Sequence, residues 1–178
     1  MNILNKYSQK SKRKSRKCIF LDRDGVLIKN YGYVYKESQI KLLKGVFKAL
    51  DYLKNKNYSI IVITNQSGVA RGYFTEKDVI NFHKLLNKKI SNKRLIDRFY
   101  FCPYHPSKGI GRYKKKSLDR KPNNGMILKA IKDFKIDVNK SFMIGDQKTD
   151  YLAAKKSGLK FFYKKGCLFK LVKNKIKN

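Results

Sequence analysis

The chain has 178 residues, with 44 Lys and Arg against 12 Asp and Glu, and its formal net charge is +32. This length is that of one domain, and the 42% hydrophobic and 13% aromatic fractions exclude a disordered chain. No apolar run approaches the roughly 20 residues of a membrane-spanning helix, and the basic N-terminus lacks the apolar stretch of an export signal. The three scattered cysteines, Cys18, Cys102 and Cys167, exclude a disulfide framework. We therefore predict a cytoplasmic protein that has no membrane partner.

The positive charge is spread along the chain rather than concentrated in one arginine-rich block. A positive surface attracts phosphorylated small molecules as well as nucleic acids. We expect a solvated surface that steers small anions, no specific nucleic-acid partner, and a monomer. Residues 1–17 are strongly basic and predict a flexible arm, which leaves residues 18–178 as the folded domain.

Predicted strands and helices alternate along the folded part. Continuous apolar runs predict strands over 18–22, 58–65, 95–101, 141–146 and 159–163. Apolar stripes and capping residues predict helices over 41–57, 75–91, 124–135 and 150–157, the second of which has Thr75 as its N-cap. Strands that alternate with helices favour a parallel sheet covered on both faces. The predicted fold class is α/β, a Rossmann-like three-layer α/β/α domain with a central parallel sheet.

The first predicted strand ends in two aspartates, Asp22 and Asp24, which are followed by Gly25. Ligands in open α/β folds bind where the strands end. A carboxylate there can form an aspartyl-phosphate, and a second carboxylate beside it can transfer the proton. Two aspartates before a glycine also suit an ordinary strand–turn junction, so the motif needs support from elsewhere in the chain.

Three further segments supply polar groups at predicted element ends. Thr64, at the end of the second strand, offers a hydroxyl suited to a phosphoryl oxygen. Lys121 precedes a predicted helix and can neutralise a transferring phosphoryl group. Asp146 follows the fourth strand and can hold Mg²⁺ together with the first two aspartates, whereas Asp150 is expected to cap the following helix. The Thr64 segment alone also fits ordinary turn chemistry, and a single lysine means little in so basic a chain, but together the groups predict a phosphotransferase site.

With these residues, the chain resembles the haloacid dehalogenase-like phosphohydrolases from Cys18 to about Tyr163. Within them it is similar to the group of D-glycero-D-manno-heptose 1,7-bisphosphate 7-phosphatases and histidinol-phosphate phosphatases. The motifs that carry this resemblance are Asp22-Arg23-Asp24-Gly25, Gly32-Tyr33-Val34, Thr64-Asn65-Gln66-Ser67-Gly68 and Arg120-Lys121-Pro122. The resemblance implies a cap-less domain, dependence on Mg²⁺, and a phosphomonoesterase that makes precursors of surface glycans such as lipopolysaccharide core.

The resemblance also implies roles for individual residues. The catalytic residues would be Asp22 as nucleophile, Asp24 as proton donor, and Thr64 and Lys121 as stabilisers of the phosphoryl group. The magnesium ligands would be Asp22, Asp24 through its backbone carbonyl, and Asp146. The substrate contacts would be Asn30, Tyr31, Gly32, Tyr33, Asn65, Gln66, Ser67, Arg120 and Gln147. Among these, Arg120 is expected to bind the uncleaved phosphate, because its planar fork binds two oxygens at once. Gln147 stands where the family often has lysine.

Many members of this group hold a structural zinc ion with a Cys-x-His pair and a Cys-x-Cys pair. In the corresponding loop of this chain, Cys102 is kept, His105 is displaced by one position, and Asp119 replaces the last cysteine. A site made from these three residues and water is the alternative. Because structural zinc is usually held by four thiolate and imidazole ligands, we expect no zinc here. Tyr104 and Tyr113 are expected to pack the loop instead.

Other functions remain open at this point. Histidinol-phosphate phosphatase is the nearest enzymatic alternative, followed by a 3′-phosphatase that acts on nucleic-acid ends. A basic nucleic-acid-binding protein that retains the phosphatase scaffold is the alternative from another class, because fold alone does not fix function. The intact carboxylates argue against a pure binding protein, since binding does not need them. The helical His83 is expected to pack rather than to take part in chemistry.

Overall fold

The computed structural model describes residues 15–176 and contains one five-stranded sheet. The strands are β1 (Cys18–Leu21), β2 (Ser59–Asn65), β3 (Arg98–Cys102), β4 (Phe142–Gly145) and β5 (Lys160–Tyr163). Their order across the sheet is β3-β2-β1-β4-β5, and every neighbouring pair is parallel. The predicted α/β fold with a central parallel sheet is confirmed.

Six α-helices flank the sheet in the described part of the chain. They are α1 (Val46–Asn55), α2 (Ser67–Ala70), α3 (Glu76–Ile90), α4 (Gly125–Phe134), α5 (Lys148–Lys156) and α6 (Leu168–Ile176). Short 3-10 turns cover Glu37–Gln39, Gly111–Tyr113 and Val138–Lys140. Four of the helices correspond to predicted ones, whereas α2 and α6 were not predicted. None of the helices within residues 15–176 is both long and apolar enough to span a bilayer.

Alternate residues of the central strands point to opposite faces of the sheet, and each face builds its own core. Ile19 and Leu21 of β1 pack in a cluster with buried residues of α1, α3 and α6. Cys18 and Phe20 pack in a second cluster with buried residues of α4 and α5. Helices on both faces of one sheet make the three layers of the fold.

The boundaries of two helices follow from local chemistry. Helix α3 begins after Thr75, whose Oγ1 accepts a hydrogen bond from the Asp78 N–H, while the Asp78 carboxylate accepts one from the Thr75 N–H. This capping box confirms the predicted N-cap. The predicted start of the first helix at residue 41 is wrong, because Gly45 has a left-handed φ of 81° and the helix begins at Val46. Leu42 instead pairs with Ile28 in an isolated bridge.

The predicted basic arm falls mostly outside the described residues, since residues 1–14 belong to the part that is not described. At its end, Arg16 forms a bridge with Ile136 through two backbone hydrogen bonds. The cysteines are all free, and two of them, Cys18 and Cys102, are buried.

Candidate active site

The predicted catalytic groups meet at the carboxyl edge of the sheet. Asp22 follows β1, Thr64 lies near the end of β2, and Asp146 follows β4. Because β2, β1 and β4 are adjacent and parallel, their carboxyl ends lie side by side. Lys121 enters the same place from the loop before α4, and its Nζ lies 3.0 Å from the Ile63 carbonyl oxygen of β2.

A buried ammonium group joins two carboxylates at this edge. The Lys121 Nζ lies 2.8 Å from Asp22 Oδ1 and 2.5 Å from Asp150 Oδ1. All three side chains are less than 10% exposed. With Asp146 nearby, three carboxylates share one ammonium group, so the fully ionised cluster has a surplus of two negative charges.

The pKa values follow from this surplus and from burial. Burial, opposed by Lys121 and reinforced by Asp150, raises the pKa of Asp22 to about 7. Burial also raises the pKa of Asp146. Burial opposes the charge of Lys121, but Asp22 and Asp150 outweigh it and raise the pKa of the ammonium group, which therefore stays charged. The cluster thus favours an additional cation beside Asp22 and Asp146.

The donor set fits a divalent metal ion. Asp22, Asp146 and Asp150 each place a carboxylate oxygen within 4.8 Å of the others, the one such group in residues 15–176. Asp150 is already engaged, because it is the third residue of α5 and its Oδ2 accepts hydrogen bonds from the N–H groups of Asp146 and of the N-cap residue Gln147. It thus takes part in capping the helix, as expected, although it is not the N-cap residue. The Asp146 Oδ1 atom is buried and has no hydrogen-bond partner within residues 15–176. Buried oxygens that lack a donor are what a hard cation such as Mg²⁺ binds.

Gly25 leaves room for the Asp146 carboxylate beside the backbone. Its φ is 84°, a left-handed conformation that glycine adopts without a Cβ penalty. A Cβ at this position would lie 2.1 Å from Asp146 Oδ2. The backbone after Asp24 can therefore approach the Asp146 carboxylate only because residue 25 has no side chain.

Asp24 lies beside Thr64 and is joined to it by Gln66. The Gln66 Nε2 donates to Asp24 Oδ2 at 3.1 Å and to Thr64 Oγ1 at 2.9 Å. Since the Thr64 oxygen accepts from Gln66, its single hydrogen is free to donate to a phosphoryl oxygen. Gln66 is only 3% exposed, so the structure places this predicted substrate contact behind the catalytic groups.

Asn65 holds the loop that carries Lys121. Its Nδ2 donates to the Lys121 carbonyl oxygen and its Oδ1 accepts from the Lys121 N–H, both at 3.0 Å. The predicted substrate contact Ser67 begins α2. The predicted contact Gln147 donates from Nε2 to Asp146 Oδ2 at 3.1 Å, so it orients a carboxylate of the metal cluster.

The remaining predicted substrate contacts lie on the loop after β1. Asn30 Oδ1 accepts a hydrogen bond from the Gly32 N–H, which fixes a turn. Tyr31 and Tyr33 are exposed. The Tyr33 ring packs edge-on against Tyr73, with a centroid distance of 4.8 Å.

Two arginines face this loop, and one of them was not assigned a role from the sequence. The Arg71 guanidinium lies 5.6 Å from the centroid of the Tyr33 ring, and its buried Nε has no hydrogen-bond partner among the described residues. Arg120, half-buried, donates from Nη1 to the Tyr104 carbonyl oxygen at 3.1 Å. Burial lowers the pKa of Arg120, and Arg71 lowers it further. Two such guanidinium groups close together make a site suited to an anion, and Arg71 follows the motif of Thr64 by three residues in the sequence.

The candidate zinc residues are engaged in separate contacts. His105 Nδ1 accepts hydrogen bonds from the N–H groups of Ser107 and Lys108. Asp119 pairs with Lys129. Cys102 is buried, and the absence of structural zinc stays a prediction.

Aromatic contacts occur within this loop. The Tyr104 and Tyr113 rings pack with centroids 6.0 Å apart, and Lys115 lies 4.1 Å over the Tyr104 ring. The Tyr113 hydroxyl donates to the Glu76 carboxylate, which joins the loop to α3. The expected packing role of the two tyrosines is confirmed.

Comparison with known proteins shows the family to which the chain belongs. The family model described as polynucleotide kinase 3 phosphatase matches residues 17–166. A D-glycero-alpha-D-manno-heptose-1,7-bisphosphate 7-phosphatase from Burkholderia mallei is 41% identical over 150 residues, which cover 80% of this chain and 76% of that protein. A D-glycero-beta-D-manno-heptose-1,7-bisphosphate 7-phosphatase from Haemophilus influenzae is 44% identical over 138 residues, which cover 77% of this chain and 74% of the relative.

A solved structure agrees with the sequence relatives. The D,D-heptose 1,7-bisphosphate phosphatase from B. bronchiseptica, complexed with magnesium and phosphate, superimposes with a TM-score of 0.73. It is 25% identical, and the match covers 89% of this chain and 86% of that one. The chain therefore belongs to the haloacid dehalogenase-like phosphatases, which are phosphoric monoester hydrolases, within the family that also contains the heptose-1,7-bisphosphate 7-phosphatases.

Proposed function

We propose that the protein is a Mg²⁺-dependent phosphomonoesterase that removes the 7-phosphate of D-glycero-D-manno-heptose 1,7-bisphosphate. The observation that carries the chemistry is the buried Asp22 carboxylate, which lies 2.8 Å from Lys121 Nζ and two residues before Asp24. The identity of 41% and 44% to heptose-bisphosphate phosphatases supports the substrate. The reaction would take place in the cytoplasm and supply a precursor of surface glycans.

The proposed reaction has two steps that use the same residues. In the first, an Asp22 oxygen attacks phosphorus, the bond from phosphorus to the sugar oxygen breaks, and Asp24 gives its proton to that oxygen. In the second, water attacks the aspartyl-phosphate, Asp24 takes the proton, and phosphate leaves with Asp22 restored. Lys121 and the Thr64 hydroxyl hold the phosphoryl oxygens throughout.

Asp22, Asp146 and the backbone carbonyl of Asp24 would hold the magnesium ion. When bound, the ion would neutralise charge on the phosphoryl oxygens and on the surplus carboxylates. Gln147 orients the Asp146 carboxylate, and Gly25 allows the close approach of the backbone.

The second phosphate of the substrate would bind to Arg120 and Arg71. In the described part of the chain, the buried Nε of Arg71 has no partner, and a phosphate oxygen would supply an acceptor. The exposed rings of Tyr33 and Tyr73 would bound the sugar beside it. This arrangement favours a bisphosphate over a monophosphate, because only a bisphosphate can place one phosphate at Asp22 and the other at the two arginines.

A phosphate-release assay tests this function. The substrates are both anomers of heptose 1,7-bisphosphate, histidinol phosphate, and a 3′-phosphorylated oligonucleotide, the last because of the matching family model and the net charge of +32. We expect kcat/KM for a heptose bisphosphate to exceed the others by at least about 100-fold, which corresponds to about 2.7 kcal/mol. A preference for the oligonucleotide or for histidinol phosphate would overturn the substrate assignment.

Asp22→Asn provides the control for the chemistry. The amide cannot form the acyl-phosphate, so turnover of every substrate should be lost while the circular dichroism spectrum is kept. Wild-type turnover by the purified variant would show that Asp22 is not the nucleophile.

A further inference from the structure

The residue between the two catalytic aspartates is a fully buried arginine. Arg23 has no solvent exposure, although arginine is almost never buried unless it is paired. Its Nε and Nη2 donate to the two oxygens of the Asp24 carboxylate at 3.1 and 2.9 Å. Nη2 also donates to the Val34 carbonyl oxygen at 2.7 Å. Arg23 thereby connects Asp24 with the end of the loop that holds the predicted sugar contacts.

Two residues of α3 hold the rest of the guanidinium group. The Phe82 ring lies 4.7 Å from Arg23 Cζ. The His83 Nε2 lies 3.4 Å from Arg23 Nη1. His83 itself is only 5% exposed, and its ring stacks on Phe99 of β3 at a centroid distance of 4.4 Å.

The chemistry of this contact fixes the state of the imidazole ring. A guanidinium group has only donors, so His83 Nε2 must be the acceptor and the remaining proton must sit on Nδ1. A protonated ring would place an N–H group against an N–H group. Burial, and then the nearby charge of Arg23, hold the pKa of His83 well below its usual value. His83 is therefore a neutral acceptor and not only an aromatic surface.

These contacts restrict the position of the Asp24 carboxylate. Arg23 supplies two of its donors, and Gln66 supplies a third at 3.1 Å. Without an acceptor at residue 83, the fully buried Arg23 Nη1 group would lose this partner. The guanidinium would then shift toward other acceptors, and Asp24 would move with it.

We infer that His83 is a positioning residue that acts through Arg23 to hold Asp24 at the distance needed for proton transfer to the leaving oxygen. The inference rests on the proposed role of Asp24 as the proton donor. It assigns to His83 a role that packing alone would not require, since a phenylalanine would fill the same space.

The test compares two substrates that differ in their need for a proton. A heptose phosphate leaves as an alkoxide unless it is protonated, whereas p-nitrophenolate is a stable anion and leaves without a proton. The measured quantity is the ratio of kcat/KM for p-nitrophenyl phosphate to kcat/KM for heptose bisphosphate. Because kcat/KM covers only the steps up to the first irreversible one, it omits the later activation of water.

In His83→Phe, which keeps the stacking on Phe99 but removes the acceptor, we expect this ratio to rise by at least about 10-fold. A misplacement of about 1 Å can cost up to 100-fold in rate. His83→Gln keeps an acceptor near the position of Nε2 and should restore a ratio within about threefold of wild type. Leu86→Ala, a change of a buried apolar residue on the same helix that offers Arg23 no hydrogen-bond acceptor, should lower stability and leave the ratio unchanged.

The Asp24→Asn variant tests the proton-donor role of Asp24 separately from the positioning role of His83. If Asp24→Asn raises the ratio and His83→Phe does not, the role of His83 is wrong while that of Asp24 stands. If Asp24→Asn leaves the ratio unchanged, the proton-donor assignment itself is wrong. Should His83→Phe not fold, nitrogen NMR of the wild-type ring decides the question. A neutral ring with the proton on Nδ1 supports the inference, and a proton on Nε2 overturns it.

Discussion

The catalytic centre combines carboxylates in excess with a single buried ammonium group. Lys121 pairs with both Asp22 and Asp150, while Asp146 keeps an oxygen that has no donor among residues 15–176. Burial, together with the neighbouring carboxylates of Asp150 and Asp24, raises the pKa of Asp22 to about 7 despite Lys121. The space for a cation depends on a residue that has no side chain, Gly25.

We expect Gly25→Ala to lower kcat/KM by at least about 100-fold and to weaken the response to Mg²⁺. The added Cβ would meet Asp146 Oδ2 at 2.1 Å, and φ at this position is 84°. Gly166→Ala is the matched control, since its φ is 56° but nothing lies within 4 Å of a Cβ. Kinetics at a series of Mg²⁺ concentrations measure the effect, and an equal loss in both variants would attribute it to backbone strain alone.

The lowered pKa of His83 makes folding stability depend on pH. The unfolded chain takes up a proton near pH 6.5 and the folded chain does not, so stability falls as the pH drops below about 6.5. The slope contributed by one such group approaches ~1.4 kcal/mol per pH unit.

The His83→Gln variant should show less of this acid sensitivity. Urea unfolding at pH 7.5, 6.5 and 5.5 measures it in both proteins, and His105, present in both, cancels in the comparison. Identical slopes would mean that His83 is protonated in the folded protein.

At the scale of elements, the loop between β3 and α4 shows how a segment is held by side-chain contacts. His105 accepts two backbone N–H bonds, Tyr104 packs on Tyr113, and Tyr113 donates to Glu76 of α3. Asn65 fixes the end of the loop at Lys121. The loop thus connects the edge of the sheet to the catalytic ammonium group.

We expect protein purified without added metal to contain well under one zinc ion per chain. The His105 Nδ1 already accepts two hydrogen bonds, and Asp119 is paired with Lys129. A chelator pulse followed by Mg²⁺ should restore full activity. Elemental analysis is the measurement, and one zinc per chain that is lost together with stability in Cys102→Ser would contradict the expectation.

At the scale of the whole molecule, the net charge of +32 sets a long-range field that favours anionic substrates. Exposed charges act over about 10 Å at 0.1 M salt, so this effect should weaken as salt is added. The site itself has two arginines beside the exposed tyrosines, and these act at contact distance.

We expect removal of residues 1–14 to leave kcat/KM for heptose bisphosphate within about twofold of the full chain, since the contacts described for Asp22, Lys121 and Asp146 are made with residues 22–150. The cut precedes Arg16, which bridges to Ile136.

Binding of the full chain to DNA or RNA should fall steeply with salt and show little sequence preference. Fluorescence anisotropy in 50 to 200 mM salt measures it, and tight binding to one sequence at physiological salt would contradict the expectation.

The sequence by itself determined the alternation of strands and helices and the polar residues at the strand ends. A continuous apolar run such as Ile60-Ile61-Val62-Ile63 indicates a buried strand of a parallel sheet. The carboxyl ends of parallel strands lie at the same edge of the sheet. Asp22, Thr64 and Asp146 could therefore be predicted to meet. The unpredicted helix α6 has an apolar stripe of its own, with Leu168 and Val172 buried.

Only the tertiary structure decided which polar groups touch. Hydrogen bonds between residues far apart in sequence, such as Lys121 with Asp22 or Gln66 with Asp24, depend on loop paths that local patterns do not encode. Predicted substrate contacts such as Asn65 and Gln66 lie against the catalytic groups, and His83, expected only to pack, faces Arg23. Residue types fix what chemistry is available, whereas three-dimensional packing fixes the distances and the burial on which that chemistry depends.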